Sequence, residues 1–311
     1  METVLQTRHL TKQYQGTTVV ENLNMSINRG EIYGFLGPNG AGKTTTIRMI
    51  MSLVKPTGGE VYLFGEKITS NNISLFQRIG AMIEYPGFYM NLTAVENLDI
   101  HRRMMGIYDH RSVYEHLKLV GLQEAGDKKV KQYSLGMKQR LGIARALLHH
   151  PEFLILDEPS NGLDPNGIVE IRELLLELSR KREISILVSS HILSEVQHLA
   201  SKIGILHKGK LVEQLDFKEL QSRNRNYIFL RVTDSRKTAY LLEQKMNIHD
   251  YTIIENGVFR VYERLDETEV VNQILVSHGV GVKEMKLSVD SLEDYYLKLT
   301  GGNKHGESVA M

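Results

Sequence analysis

Glu31-Ile32-Tyr33-Gly34-Phe35-Leu36-Gly37-Pro38-Asn39-Gly40-Ala41-Gly42-Lys43-Thr44-Thr45 joins a short apolar run to a glycine-rich turn, after which Ile47, Ile50, Met51 and Leu53 follow helical spacing. Gly37, Gly42, Lys43 and Thr44 satisfy G-x-x-x-x-G-K-[ST], the P-loop pattern. Glycines in such a turn let backbone N–H groups close around phosphates, the lysine reaches the β and γ groups, and the threonine hydroxyl suits Mg²⁺. The free N–H groups and the dipole at the start of the following helix favour an anion further. The stretch from Gly37 through Pro38, Asn39, Gly40, Ala41 and Gly42 to Lys43, Thr44 and Thr45 is thus expected to bind a nucleotide.

Upstream, residues 3–9 and 17–27 read as a small antiparallel sheet leading into the strand at 31–36. Tyr14 falls in the turn between them, where its ring, with a nucleotide site just downstream, is expected to stack on adenine rather than pack on a strand edge. Downstream, Lys55-Pro56-Thr57-Gly58-Gly59 ends the first helix, a strand covers 60–64, and Ile79-Gly80-Ala81-Met82-Ile83 is a short apolar strand closed by Glu84 and broken at Pro86-Gly87. Residues 91–150 read as mostly helical, with Asn91 or Thr93 capping a helix to Met105, a second over about 111–120 and a third over 136–150. Met90, Met104 and Met105 sit at helical spacing and are expected to be ordinary core rather than a partner surface.

Phe153-Leu154-Ile155-Leu156 is apolar at consecutive positions, as expected of a parallel strand buried on both faces, yet it ends in Asp157-Glu158-Pro159. Two carboxylates at the carboxyl end of a buried strand, the edge at which open α/β sheets bind ligands, call for a positive partner, which Mg²⁺ with a nucleotide supplies. Asp164-Pro165 opens an amphipathic helix, and the strand Ile184–Val188 runs into Ser189-Ser190-His191, placing a histidine at the same edge.

The 311 residues are enough for two domains. Hydrophobic residues make up 41% and charged residues 24%, and no apolar run approaches the roughly 20 residues of a bilayer span. With 38 basic against 37 acidic residues the net charge is +1, so no global field marks a nucleic-acid binder. The start, Met1-Glu2-Thr3-Val4, lacks a secretory layout and cysteine is absent, which together predict a cytoplasmic protein.

Taken in order, the P-loop, the polar residue after the Ile79 strand, Tyr133-Ser134-Leu135-Gly136-Met137, the Asp157-Glu158 strand, Gly162-Leu163-Asp164 and His191 resemble an ABC-type ATPase over residues 1 to about 220. Ser134-Leu135-Gly136-Met137-Lys138-Gln139-Arg140 and Ser291-Leu292-Glu293-Asp294-Tyr295 look like one branch, the ATP-binding subunits of bacitracin and lantibiotic resistance exporters. The resemblance implies ATP as ligand, with Asp157 in the Mg²⁺ shell, Glu158 polarising the attacking water, His191 on the γ-phosphate and Asp164 near a dimer interface. It implies that Ser134 and the Gly136 N–H of one subunit cover the γ-phosphate of another, so that function needs a nucleotide-dependent dimer. Separate integral-membrane permease subunits follow, with the chain peripheral on the inner face of the membrane and no nucleic acid bound. Three positions depart from the family pattern: Leu135 and Met137 replace a glycine and a glutamine of the signature, and Glu84 stands where most such ATPases carry a glutamine that touches Mg²⁺ and the membrane subunit. As in the resistance branch, Glu84 is expected near Mg²⁺ and to pass the nucleotide state to the permease. The rival class is a soluble ABC ATPase acting on nucleic acid or ribosomes; a single P-loop and no sustained heptad run count against it.

The expected organisation is therefore an α/β nucleotide-binding domain over 1–222 with a helical subdomain at about 88–150, a small accessory domain over 223–300 and a disordered tail over 301–311. In the accessory domain the pattern restarts as strand 227–233, helix 235–246, two strands near 250–263 joined at Asn256-Gly257, helix 266–278, strand 280–287 and a helix over 290–299, an order that suits a ferredoxin-like α+β domain. His249, His278 and His305 are scattered and form no metal pattern.

Overall fold

The computed structural model describes residues 2–69, 71–84, 86–217, 219, 225–289, 292, 295–296 and 299. It divides into two units, Met1–Phe217 and Lys218–Met311. The boundary expected at 222/223, most of the helix expected over 290–299 and the tail over 301–311 lie outside the described residues.

The first unit opens with the hairpin β1 (Thr3–Tyr14) and β2 (Thr17–Asn28), so Tyr14 closes a strand instead of lying in the turn. β3 (Ile32–Leu36) follows, then α1 (Lys43–Ile50), β4 (Gly58–Leu63), β5 (Glu66–Lys67) and β6 (Ile79–Met82). Three helices, α2 (Ala94–Met104), α3 (Arg111–Leu119) and α4 (Leu135–Leu147), form the helical stretch. β7 (Phe153–Asp157), α5 (Pro165–Arg182), β8 (Ser185–Ser190), α6 (Leu193–Gln197), β9 (Lys202–His207) and β10 (Lys210–Asp216) complete the unit.

Two sheets result. One runs β2-β1-β4-β5 and is antiparallel; the other runs β10-β9-β3-β8-β7-β6, with β9, β3, β8, β7 and β6 parallel. β3, β7 and β8 are buried at every position, as two-faced parallel strands must be. In β7 the alternation is visible: Phe153 and Ile155 pack with Ile47, Ile50 and the β1–β2 hairpin, whereas Leu154 and Leu156 pack with α5 and the helical stretch. The apolar run is thus shared between two cores, and its carboxyl end, with Asp157, emerges where both stop.

Thr93 begins α2 with a full capping box, its hydroxyl accepting from the Glu96 N–H while the Glu96 carboxylate accepts from the Thr93 N–H. Met90, Met104 and Met105 are exposed, at 41%, 78% and 39%, which corrects the expectation that they are core. Helical spacing locates a face but not what covers it; here the inward positions of α2 are taken by Ala94 and Leu98.

The second unit runs β11 (Asn226–Val232), α7 (Ser235–Met246), β12 (Tyr251–Glu255), β13 (Val258–Val261), α8 (Thr268–Ser277) and β14 (Val282–Val289). Its antiparallel sheet is ordered β12-β13-β11-β14, and Ile228, Leu230, Leu242, Phe259 and Leu275 close a core of its own.

Candidate active site

Gly37 follows β3 and approaches β9 so closely that a Cβ there would meet the Leu206 carbonyl at 2.5 Å. The turn then folds back, the Ala41 N–H bonding the Pro38 carbonyl at 3.1 Å, and Gly42 enters α1 at φ 108°, a conformation that L side chains rarely adopt. No side chain caps α1 and its first turn holds no acid, so the leading N–H groups and the dipole are left to an anion. Lys43 is buried at 4% exposure; its ammonium donates to the carbonyls of Gly37 at 2.7 Å and Pro38 at 3.2 Å.

That ammonium also lies 3.1 Å from Glu158 Oε1, and His191 Nδ1 lies 2.7 Å from Glu158 Oε2. One carboxylate therefore joins the P-loop lysine to the histidine after β8. Beside it, the Thr44 hydroxyl donates to Asp157 Oδ2 at 2.7 Å and the Ser189 hydroxyl to Asp157 Oδ1. Ser189 Oγ in turn accepts the Glu158 N–H at 3.0 Å. Glu158 itself sits at φ 50°, a left-handed backbone that a non-glycine residue holds only where its surroundings fix it.

The structure thus brings Lys43, Thr44, Asp157, Glu158 and His191 into one cluster. Gly37 and Pro38 join it through their carbonyls, whereas the predicted residues outside the P-loop make their contacts elsewhere. Tyr14 is 45% exposed, with Lys12 Nζ 4.7 Å from its ring centroid. Glu84 lies two residues beyond the end of β6, at φ 62°, and its largely exposed carboxylate pairs with Arg48 of α1. Ser134 caps α4, accepting the Met137 N–H at 3.2 Å, and Gly136 stands in the first turn of that helix. Asp164 caps α5, accepting the Gly167 N–H at 2.9 Å.

Ser189 escaped the reading of the sequence, although a serine in a strand buried at every position is itself a signal that its hydroxyl has a fixed partner. Among the described residues no group of three or more His, Asp or Glu side chains is arranged to hold a metal unaided. Thr44 and Asp157 nevertheless offer two hard oxygens 2.7 Å apart at the ligand edge of the sheet, which fits a cation that arrives with phosphate oxygens and water as the rest of its shell.

A P-loop on a parallel sheet, with a carboxylate pair and a histidine on the neighbouring strand ends, defines a nucleotide hydrolase. A family model described as "ABC transporter" matches residues 20–161. The bacitracin transport ATP-binding protein BcrA of Bacillus licheniformis is 50% identical over 98% of this chain and 100% of its own length. The lantibiotic transport ATP-binding protein SrtF of Streptococcus pyogenes is 42% identical over 69% of this chain and 91% of its own. Among solved structures, a dimeric ATP-binding cassette in a post-hydrolysis state bound to ADP and Pi superposes with a TM-score of 0.61 at 27% identity, covering 68% of this chain and 98% of that one. The chain belongs to the ABC transporter ATP-binding family and is an ABC-type ATPase.

Proposed function

We propose that the chain is the ATP-hydrolysing subunit of an exporter for a peptide antibiotic of the bacitracin or lantibiotic kind, acting as a nucleotide-dependent dimer with separate permease subunits on the cytoplasmic side of the cell membrane. The observation that carries this reading is the 50% identity to a bacitracin transport ATP-binding protein along 98% of the chain, far beyond the stretch that the family model matches. No helix among the described residues is long and apolar enough to cross a membrane, in keeping with a channel supplied by other subunits. Action on nucleic acid or ribosomes is not favoured, since these relatives are named for transport.

Within the site, Lys43 would bind the β- and γ-phosphates, Glu158 would orient and polarise the attacking water, and His191 would hold Glu158 and meet the γ-phosphate. Thr44 and Asp157 would hold Mg²⁺, which supplies charge neutralisation on the phosphate oxygens when bound. Tyr14 is read as an adenine platform, its half-exposed ring lying at the end of a strand. Ser134 and Gly136 fit the role of covering a second subunit's γ-phosphate. The Ser134 hydroxyl uses a lone pair as the α4 cap and keeps its proton to donate, and the Gly136 N–H precedes the first intrahelical bonds.

For the permease, support comes from a groove of about 360 Å³ among Phe88, Tyr89, Asn97, His101, Met104 and Arg145. Arg145 braces it, bonding the Gly87 carbonyl at 2.8 Å and lying over the Phe88 ring, and the exposed Met104 offers the adaptable surface that a docked helix needs. Glu84 lies three residues before Gly87, which lines the groove, and through Arg48 it touches α1. We read the second unit, by its strand order, as a ferredoxin-like accessory domain.

Antibiotic resistance tests the reading. The chain, produced with its permease in a sensitive host, should raise the inhibitory concentration of a bacitracin or a lantibiotic, and Glu158→Gln should abolish the rise. Equal resistance with the wild-type chain and with Glu158→Gln would refute the proposal.

A further inference from the structure

Next to the catalytic cluster, Glu195 of α6 closes a ring of contacts. The Ser160 hydroxyl donates to Glu195 Oε2, and Ser190 Oγ lies 3.4 Å from the same oxygen. Ser190 Oγ also accepts the Ile192 N–H at 2.9 Å, which fixes the backbone on the far side of His191. Ser160 is two residues beyond Glu158 and Ser190 is one before His191, while Glu158 and His191 meet directly at 2.7 Å. The path therefore returns to its start: Glu158, Pro159, Ser160, Glu195, Ser190, His191 and Glu158 again.

Stability alone does not explain a carboxylate here. It lines a small cavity with Ile168, Ile171, Leu175 and Val188, and its Oε1 is buried without a hydrogen-bond partner among the described residues. A carboxylate so placed costs desolvation, which an apolar side chain of similar size would avoid. What it supplies is a link between two loops that no strand pairing joins beyond the ends of β7 and β8. Glu158 has particular need of it, because its left-handed backbone requires support from both sides; Ser189 holds its N–H, and Ser160 anchors the chain that leaves it.

We propose that Glu195 is a positioning residue for hydrolysis, which holds the loop carrying Glu158 and the loop carrying His191 in register. The proposal rests on the reading of Glu158 as the water-polarising group. The Glu195 side chain bonds Ser160 and Ser190 and not the P-loop, so its loss should fall on turnover and spare binding.

The test uses the purified full-length chain with Mg-ATP. Glu195→Ala should lower kcat by about tenfold while KM for ATP and the affinity for a non-hydrolysable analogue change by less than about twofold. Ser160→Ala should give a similar loss, and the two losses should not multiply in the double variant, because each breaks the same link between the two loops. Glu195→Gln keeps the accepting oxygen and the volume, and should restore kcat to within about threefold of the wild type. Glu158→Gln is the control. Glu158-dependent turnover with wild-type kcat in Glu195→Ala, or losses that multiply, overturns the positioning role alone. Turnover that Glu158→Gln leaves untouched overturns the hydrolytic reading and the positioning role together. If Glu195→Ala does not fold, Ser160→Ala and Glu195→Gln decide the matter: wild-type kcat in Ser160→Ala refutes the proposal.

Discussion

Lys43 and Glu158 show how much of a site is set by single side chains. A buried ammonium is tolerated because two carbonyls and a carboxylate surround it, and the same carboxylate fixes the histidine. Glu84 is the informative contrast, since its carboxylate is largely exposed and, among the described residues, pairs with Arg48 of α1. Glu84→Gln keeps the length and removes the charge, so the isolated subunit's ATPase should change by less than about tenfold, or 1.4 kcal/mol in barrier. Resistance in cells carrying the whole transporter should fall much further; resistance at the wild-type level would return Glu84 to a surface carboxylate. The identities of Lys43, Thr44, Asp157, Glu158 and His191 were legible in the sequence, because fixed spacing and strand ends place them. Their contacts were not. The pairing of Arg48 with Glu84 and of Ser160 with Glu195 spans 36 and 35 residues, and nothing local in either segment announces it.

At the level of elements, the helical stretch carries three histidines shielded from solvent to different degrees: half-buried His101 on α2, buried His116 on α3 and half-buried His149 just after α4. Burial, then Arg145 and His149, pushes His101 down to about 4. Burial is likewise the first cause that lowers His116 and His149. A histidine whose folded pKa lies below its unfolded value of about 6.5 is neutral in the native state and takes up its proton sooner on unfolding. The stability it contributes is complete above pH 6.5 and is lost as the pH falls toward the folded value. The thermal midpoint should accordingly drop between pH 7.5 and pH 5, and His101→Gln should make that drop shallower. A midpoint independent of pH over this window would contradict the assignment. Helix and strand types here followed from periodicity and from stop signals such as Pro56 and Pro151. The exposure of the α2 methionines did not, because periodicity says which residues share a face and leaves open whether anything lies over it.

On the scale of the whole molecule, the order of motifs along the chain identified the family before any geometry was known, and the βαββαβ order of the second unit was read from alternating patterns and the Asn256-Gly257 turn. Partnership is another matter, for Ser134 lies on α4 at the surface, and no sequence pattern brings it to a P-loop of its own chain. If two chains build each site, Ser134→Ala and Lys43→Ala subunits complement partially. A mixed dimer of the two holds one site with neither lesion, so the mixture should retain measurable ATPase where each variant alone has almost none; a lost charge-assisted bond at Ser134 is worth about 1.5 to 3 kcal/mol. A mixture no more active than the average of its two components would show that the sites are built within single chains. The separate cores have a further consequence, which concerns descent. The lantibiotic relative matches over 214 residues, close to the length of the first unit, whereas the bacitracin relative matches over 306. Each unit closes its own interior, so a genetic crossover near codon 217 severs no packed layer within either. The two units could accordingly be inherited together or apart, since the core residues of each come from that unit alone.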